Sequence, residues 1–257
     1  MFTKFPSSLS KICIRTGNVL NNNNFKQKAV QNPTEELVES VRVVLDRWAA
    51  EGVDASGDHL EVHVKDESDV PPEDDVSELR FSAKVYVTDG GPPALTEAID
   101  KLLVILGGSH VDSLVLSYDG EDSENLPKLM ELWTVLQDYV TANKIAQIGV
   151  ADVETETFVK LYEMSTIKPA IVQISLATCC VVPPPLQEFT NKNDVQLLTH
   201  NDPKHVLPSE AMVNLFGDEE ARSFKLLWMS RLLVHIKCRG VLASKSHLIC
   251  IQRSQLT

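Results

Sequence analysis

Eight short apolar segments rich in β-branched residues alternate with helical ones, and this alternation restricts the fold more than any other feature. The segments are "KICIRT" (11–16), "LEVHV" (60–64), "RFSAKVYV" (80–87), "VDSLVLSY" (111–118), "IAQIGV" (145–150), "AIVQISL" (170–176), "DVQLLTH" (194–200) and "RGVLAS" (239–244). In the first helix, Leu37, Val38, Val41, Val44, Leu45 and Trp48 share a face. Asn32 suits its N-cap, Pro33 its first turn, and Glu35 completes a capping-box-like arrangement. A second helix runs from about Asn125 to Ala142, and others are expected near 94–106, 154–164, 185–193 and 222–236. Tight strand–helix alternation favours a parallel sheet, and eight strands favour a closed (β/α)8 TIM barrel over an open doubly wound sheet. Residues 1–257 are read as a single domain of this kind.

The pattern breaks twice. The stretch "KDESDVPPEDDVSE" (65–78) is acidic and Pro-broken, so a loop is expected there instead of a helix. About a dozen residues follow the eighth strand, too few for a full last helix. Residues 1–10 are expected to be flexible, and Asn21–Asn24 reads as a low-complexity loop.

A net charge of −12 argues against a nucleic-acid partner, because neutralising phosphates needs a basic surface. No apolar run approaches the roughly 20 residues of a membrane span. The start, "MFTKFPSSLSKICI", lacks the apolar stretch of a signal peptide. Five cysteines without CxxC or metal-type spacing argue against a disulfide framework and a metal, and for a reducing, cytoplasmic compartment. His59 and His63 flank a strand too far apart for an easy two-ligand site.

"KIAQIGVADVETETFVKLYE", then "KPAIVQISL" and "LQEFTNKNDVQLLTHNDP", resemble the fifth, sixth and seventh strands of aldo-keto reductases in order. "LLWMSRLLVHIKCRGVLASKS" resembles that family's seventh helix and eighth strand. The resemblance implies a barrel and a catalytic set of Tyr, Lys, Asp and His, in which the helpers lower the pKa of a Tyr that otherwise donates poorly near neutrality. Lys84 aligns with the lysine, but Ser117 stands at the histidine position and no tyrosine precedes Tyr86. Tyr86 and Tyr118 are nearby phenols outside the matching position.

The cofactor contacts it implies are altered too. Ala151-Asp152 replaces a Ser-Asn pair, and His200 replaces the tyrosine that stacks on nicotinamide. Gln173 is kept, as are Lys245 and Ser246 where a 2′-phosphate would sit. NADPH is therefore not expected as a required cofactor, and Gln173 and Lys245 read as inherited barrel-mouth structure.

"TGNVLN", "SLATCCVVPP", "LLTHNDPK" and "KCRGVLASK" resemble the non-catalytic regulatory (modifier) subunits of glutamate–cysteine ligase, a branch of the same superfamily. That implies a heterodimer with the ligase catalytic subunit, raising its glutamate affinity and weakening glutathione feedback inhibition. The alternative is an NADPH-dependent oxidoreductase with an altered active site. Cys179 and Cys180 are partner or redox candidates, able to sense oxidant, to bridge to another chain, or simply to pack as thiols. Cys13, Cys238 and Cys250 default to the core. Lys237 and Arg239, with Lys245 and Arg253, form a local basic patch in an acidic chain and are candidates for partner contact. Asp202-Pro203-Lys204 reads as a turn or a contact surface.

Overall fold

The computed structural model describes residues 5–6, 8–21, 32–51, 57–63, 76–88, 90–119, 125–175 and 181–254. Strand β1 (Lys11–Arg15) pairs in parallel with β2 (His59–His63) through helix α1 (Pro33–Glu51). The capping reading of α1 holds: Asn32 Oδ1 accepts from the Glu35 amide at 2.9 Å, and Asn32 Nδ2 donates to the Glu35 carboxylate at 2.9 Å. Five parallel strands follow: β3 (Leu79–Val87), β4 (Val111–Tyr118), β5 (Ile145–Ala151), β6 (Ile171–Ser175) and β7 (Gln196–His200). Helices α2 (Gly91–Ile105), α3 (Leu126–Thr141), α4 (Thr155–Met164) and α5 (Pro184–Lys192) connect them. The short helices α6 (Ser209–Phe216) and α7 (Asp218–Ser223) lead into a long hairpin, β8 (Phe224–Ile236) and β9 (Val241–Arg253).

The nine strands form one sheet in the order β2-β1-β9-β8-β3-β4-β5-β6-β7. The hairpin stands where a last helix and strand were expected, so of the helix expected near 222–236, residues 224–236 are corrected to strand. The sequence "FKLLWMSRLLVHI" is apolar at both odd and even positions. A strand covered on both faces carries no alternation to separate it from a helix. β8 is such a strand, bonded to β3 on one side and β9 on the other, both antiparallel. The parallel sheet expected throughout is therefore mixed, and eight strands become nine.

The sheet curls strongly: Lys84 on β3 reaches His200 on β7, four places away in the order. The outer strands of the sheet are β2 and β7, and beyond β7 the Asp202 carboxylate reaches across to Arg231 on β8.

Successive residues face opposite sides of a strand. The outer face of β3–β6 and β8, including Phe81, Val85, Leu114, Leu116, Ile148 and Val172, is covered by Leu95, Ile99, Leu102, Trp133, Leu136 and Phe158 of α2–α4. Trp133, fully buried, donates its indole N–H to the Ile167 carbonyl at 3.0 Å. On the opposite face, Ile12, Ile14, Ile249 and Ile251 of β1 and β9 pack under Leu37, Val41 and Leu45 of α1 and Met212, Leu215 and Phe216 of α6. Phe5 and Leu9 are buried. Within the acidic 65–78 stretch, residues 76–78 form a 3-10 turn and the remainder lies outside the described residues.

Gly149 on β5 is required by a close approach. A Cβ there would lie 2.5 Å from the Ile171 carbonyl oxygen and 2.6 Å from its Cβ.

Candidate functional site

The inner faces of β3 to β8 bring one row of side chains together. Register places Tyr86 opposite both Ser117 and Met229, and Lys84 opposite both Val115 and Arg231. Beyond the end of β7, Asp202 folds back into this row with 4% of its surface exposed. Its carboxylate accepts from Lys84 Nζ at 3.0 Å, Tyr86 OH at 2.7 Å, and Arg231 Nη1 and Nη2 at 2.6 and 2.9 Å. Its backbone is fixed as well, with the amide donating to His200 Nδ1 and the carbonyl accepting from Ser175 Oγ.

Asp152 forms the second acidic point. It ends β5 in the left-handed region (φ 59°), which Asp tolerates better than most residues, and accepts from the Ser175 amide at 2.9 Å. Its carboxylate lies 3.0 Å from His200 Nε2 and 3.9 Å from Lys84 Nζ. Two carboxylates thus face two fixed cations, with His200 between.

Burial by itself would raise the Asp202 pKa. The Arg231 hydrogen bonds and charge, then Lys84 and Tyr86, overcome this and hold the carboxyl well below the usual carboxylate range. Burial pulls Lys84 below its ordinary value despite Asp202 and Asp152. Burial pushes the Tyr86 phenol far above its ordinary value, and the hydrogen bond it gives to anionic Asp202 adds to the effect. Tyr86 is 1% exposed, so its proton is held against a carboxylate and away from any incoming molecule.

Lys84, Ser117, Gln173 and His200 share the inner face. Lys245 and Ser246 do not form one site. Lys245 Nζ is 2.5 Å from Glu36 Oε1 on α1, while Ser246 points to the opposite face, fully buried. Lys245, which the resemblance puts on a phosphate side, is paired with Glu36, and Asp152, which it puts on a carboxamide side, is engaged by His200 and the Ser175 amide. Beside them, His247 is buried and is held well below its ordinary pKa by that burial and by the charges of Lys245 and Arg231.

Lys237 and Arg239 are exposed at the β8–β9 turn, where Lys237 Nζ donates to the Ser77 carbonyl at 2.9 Å. Cys179 and Cys180 lie outside the described residues. Cys13 and Cys250 are buried opposite each other on β1 and β9, but Cys238 is exposed in the turn after β8, which corrects its core reading. Cys13, Cys250 and Glu97 come together, yet Glu97 is already engaged by Lys11 Nζ at 2.6 Å and Trp228 Nε1 at 2.9 Å.

Sequence reasoning missed Arg231 and the roles of Asp202 and Tyr86. Arg231 is the one charge in the middle of "MSRLLVHI", and a lone charge in a run apolar on both sides signals a buried ion pair. Read as a helix, the segment hid that signal.

The sequence model of the aldo/keto reductase family matches residues 61–202, more than half of the chain. The chain belongs to the aldo/keto reductase family. Glutamate–cysteine ligase regulatory subunits are its relatives at nearly full length. That of Mus musculus is 32% identical over 256 residues, covering 95% of this chain and 93% of the relative. That of Homo sapiens is 32% identical over 252 residues, covering 93% and 92%. A putative regulatory subunit of Schizosaccharomyces pombe is 20% identical over 146 residues, 56% of this chain and 51% of its own. Among solved structures, the Bombyx mori aldo-keto reductase in complex with NADP aligns over 65% of this chain and 48% of its own, with 17% identity and a TM-score of 0.39. Among the described residues no helix is long and apolar enough to cross a membrane.

Proposed function

We propose that this chain is a non-catalytic regulatory subunit of glutamate–cysteine ligase, working in glutathione synthesis as a heterodimer with the ligase catalytic subunit. The observation that carries the reading is the closure of the inner site: Lys84, Tyr86 and Arg231 all converge on Asp202. The near full-length similarity to regulatory subunits points the same way.

A Lys, a Tyr, an Asp and a His do meet here, so an oxidoreductase reading has to be weighed on chemistry. General acid catalysis needs a proton available near neutral pH to a bound carbonyl. Burial and the Asp202 carboxylate drive the Tyr86 pKa the wrong way, and the oxygen it would present to a substrate faces Asp202 instead. NADPH is not required in this reading.

A subunit that supplies no reacting group acts by binding one conformation of its partner better than another. Favouring the ligase conformation that holds glutamate tightly over the one that accepts glutathione raises glutamate affinity and weakens feedback inhibition together. A coupling of about 1–3 kcal/mol changes the apparent affinities roughly 5- to 150-fold. Lys237 and Arg239, exposed in the β8–β9 turn, are candidate contacts.

The test is co-purification with the catalytic subunit, followed by glutamate KM and glutathione inhibition with and without this chain. Complex formation with a lower KM and weaker inhibition, both unchanged by Lys84→Met, is the expected result. NADPH-dependent aldehyde reduction by the isolated chain, abolished by Lys84→Met, would establish the oxidoreductase instead.

A further inference from the structure

The interior of a barrel of this class is ordinarily filled by layers of bulky side chains. Here two adjacent inward positions are small, Ser82 on β3 and Ser113 opposite it on β4. What remains is a cavity of about 460 Å³. It lies under the Lys84–Arg231–Asp202 layer and at the starts of the parallel strands, beside the β8–β9 turn, away from the end where family enzymes work.

We infer that this cavity is a binding site for a small aliphatic carboxylate, up to about tripeptide size. The inference stands independently of the regulatory reading. Among the described residues the lining holds five basic ones (Arg80, Lys84, Arg231, His235 and Lys237) and no carboxylate. Lys84 and Arg231 are balanced by Asp202 above them, whereas Arg80 and His235 face each other across β3 and β8 and form no ion pair among the described residues. A positive recess in a chain of net charge −12 favours an anion.

The rest of the wall specifies the anion further. Val115, Ile171, Leu198 and Leu233 give a hydrocarbon floor, which suits an organic acid better than a bare inorganic ion. Ser82, Ser113, Gln173 and Gln196 supply hydroxyl and amide groups around it. Ser113 Oγ donates to Ser82 Oγ at 3.1 Å, which leaves the second hydroxyl proton free to point into the space. The volume falls within the ordinary range for small-molecule sites.

The test is calorimetric titration of the full chain with glutarate and, separately, with glutathione, at constant ionic strength, with inorganic phosphate as the control anion. Saturable binding of at least one acid, tighter than phosphate, is expected. Arg80→Gln weakens it about tenfold, the loss expected for one charge-assisted contact. Ser82→Leu fills the space without changing charge and abolishes binding. Should Ser82→Leu fail to fold, Arg80→Gln, an exposed position whose thermal melt should match the parent, still decides the matter. Absence of saturable binding by both acids at millimolar concentration overturns the inference. So does binding that Arg80→Gln leaves unchanged, or phosphate binding as tight as the tighter of the two acids.

Discussion

Replacing Asp202 by Asn tests the inner network most directly. The change keeps the side-chain shape, so no cavity opens, but it removes the charge that three donors share. Lys84 and Arg231 expose only 5% and 17% of their side chains, and in the variant the ion pair left to Lys84 among the described residues is with Asp152, at 3.9 Å. Removing one partner of a buried ion pair costs about 3–5 kcal/mol, because the remaining charge stays desolvated. That is a large part of the roughly 5–15 kcal/mol by which a domain is stable. Urea unfolding at neutral pH reads it as a lower midpoint with an unchanged slope.

The pH dependence supplies a second reading of the same group. The folded Asp202 pKa lies below its unfolded value of about 3.9, so its contribution is fully present above that value, declines below it and is lost as pH falls through the folded pKa. The gap between parent and Asp202→Asn should therefore be constant above about pH 5 and narrow in acid. Adding Lys84→Met to the variant should recover part of the loss, since the two sites are coupled. A loss below about 1 kcal/mol, with a gap that does not narrow in acid, would refute the account of Asp202 as the closing charge.

Gly149→Ala should destabilise by about 1–3 kcal/mol in thermal or urea unfolding, because the new Cβ meets the Ile171 backbone, which cannot swing aside. Asn32→Ala should cost about 1 kcal/mol by the same measurement, through loss of the bond to the Glu35 amide. Alkylation mapped by mass spectrometry should label exposed Cys238 before Cys13 and Cys250. Cys13 and Cys250 should react only on unfolding, since both are buried and the Cys13 contact with burial pushes the Cys250 thiol up.

What the sequence disclosed follows from where its signals are local. α1 was legible down to its cap, because Asn32, Pro33 and Glu35 act within one turn. Strands β3 to β7 were legible because each is followed by an amphipathic helix that breaks the apolar run. β8 was not, since covering both faces of "FKLLWMSRLLVHI" removes the two-residue period. The candidate site divided in the same way. Lys84, Gln173 and His200 stand at strand positions fixed by register, so their shared face could be foreseen. Asp202 acts from beyond its strand through contacts with residues 118 and 116 positions earlier in the chain, and no local pattern encodes these.

The placement of β9 has a bearing on how the molecule is made. Cys13 lies opposite Cys250, so residues 241–253 join the β1–β2 pair to the rest of the sheet through β8. On the ribosome, β3 to β7 can zip together stepwise as each βα unit emerges, while β1 and β2 wait beside them without a neighbour on one edge. Synthesis must reach the ninth strand before that edge is covered, and until then the open edge of β1 is a template on which another chain can pair.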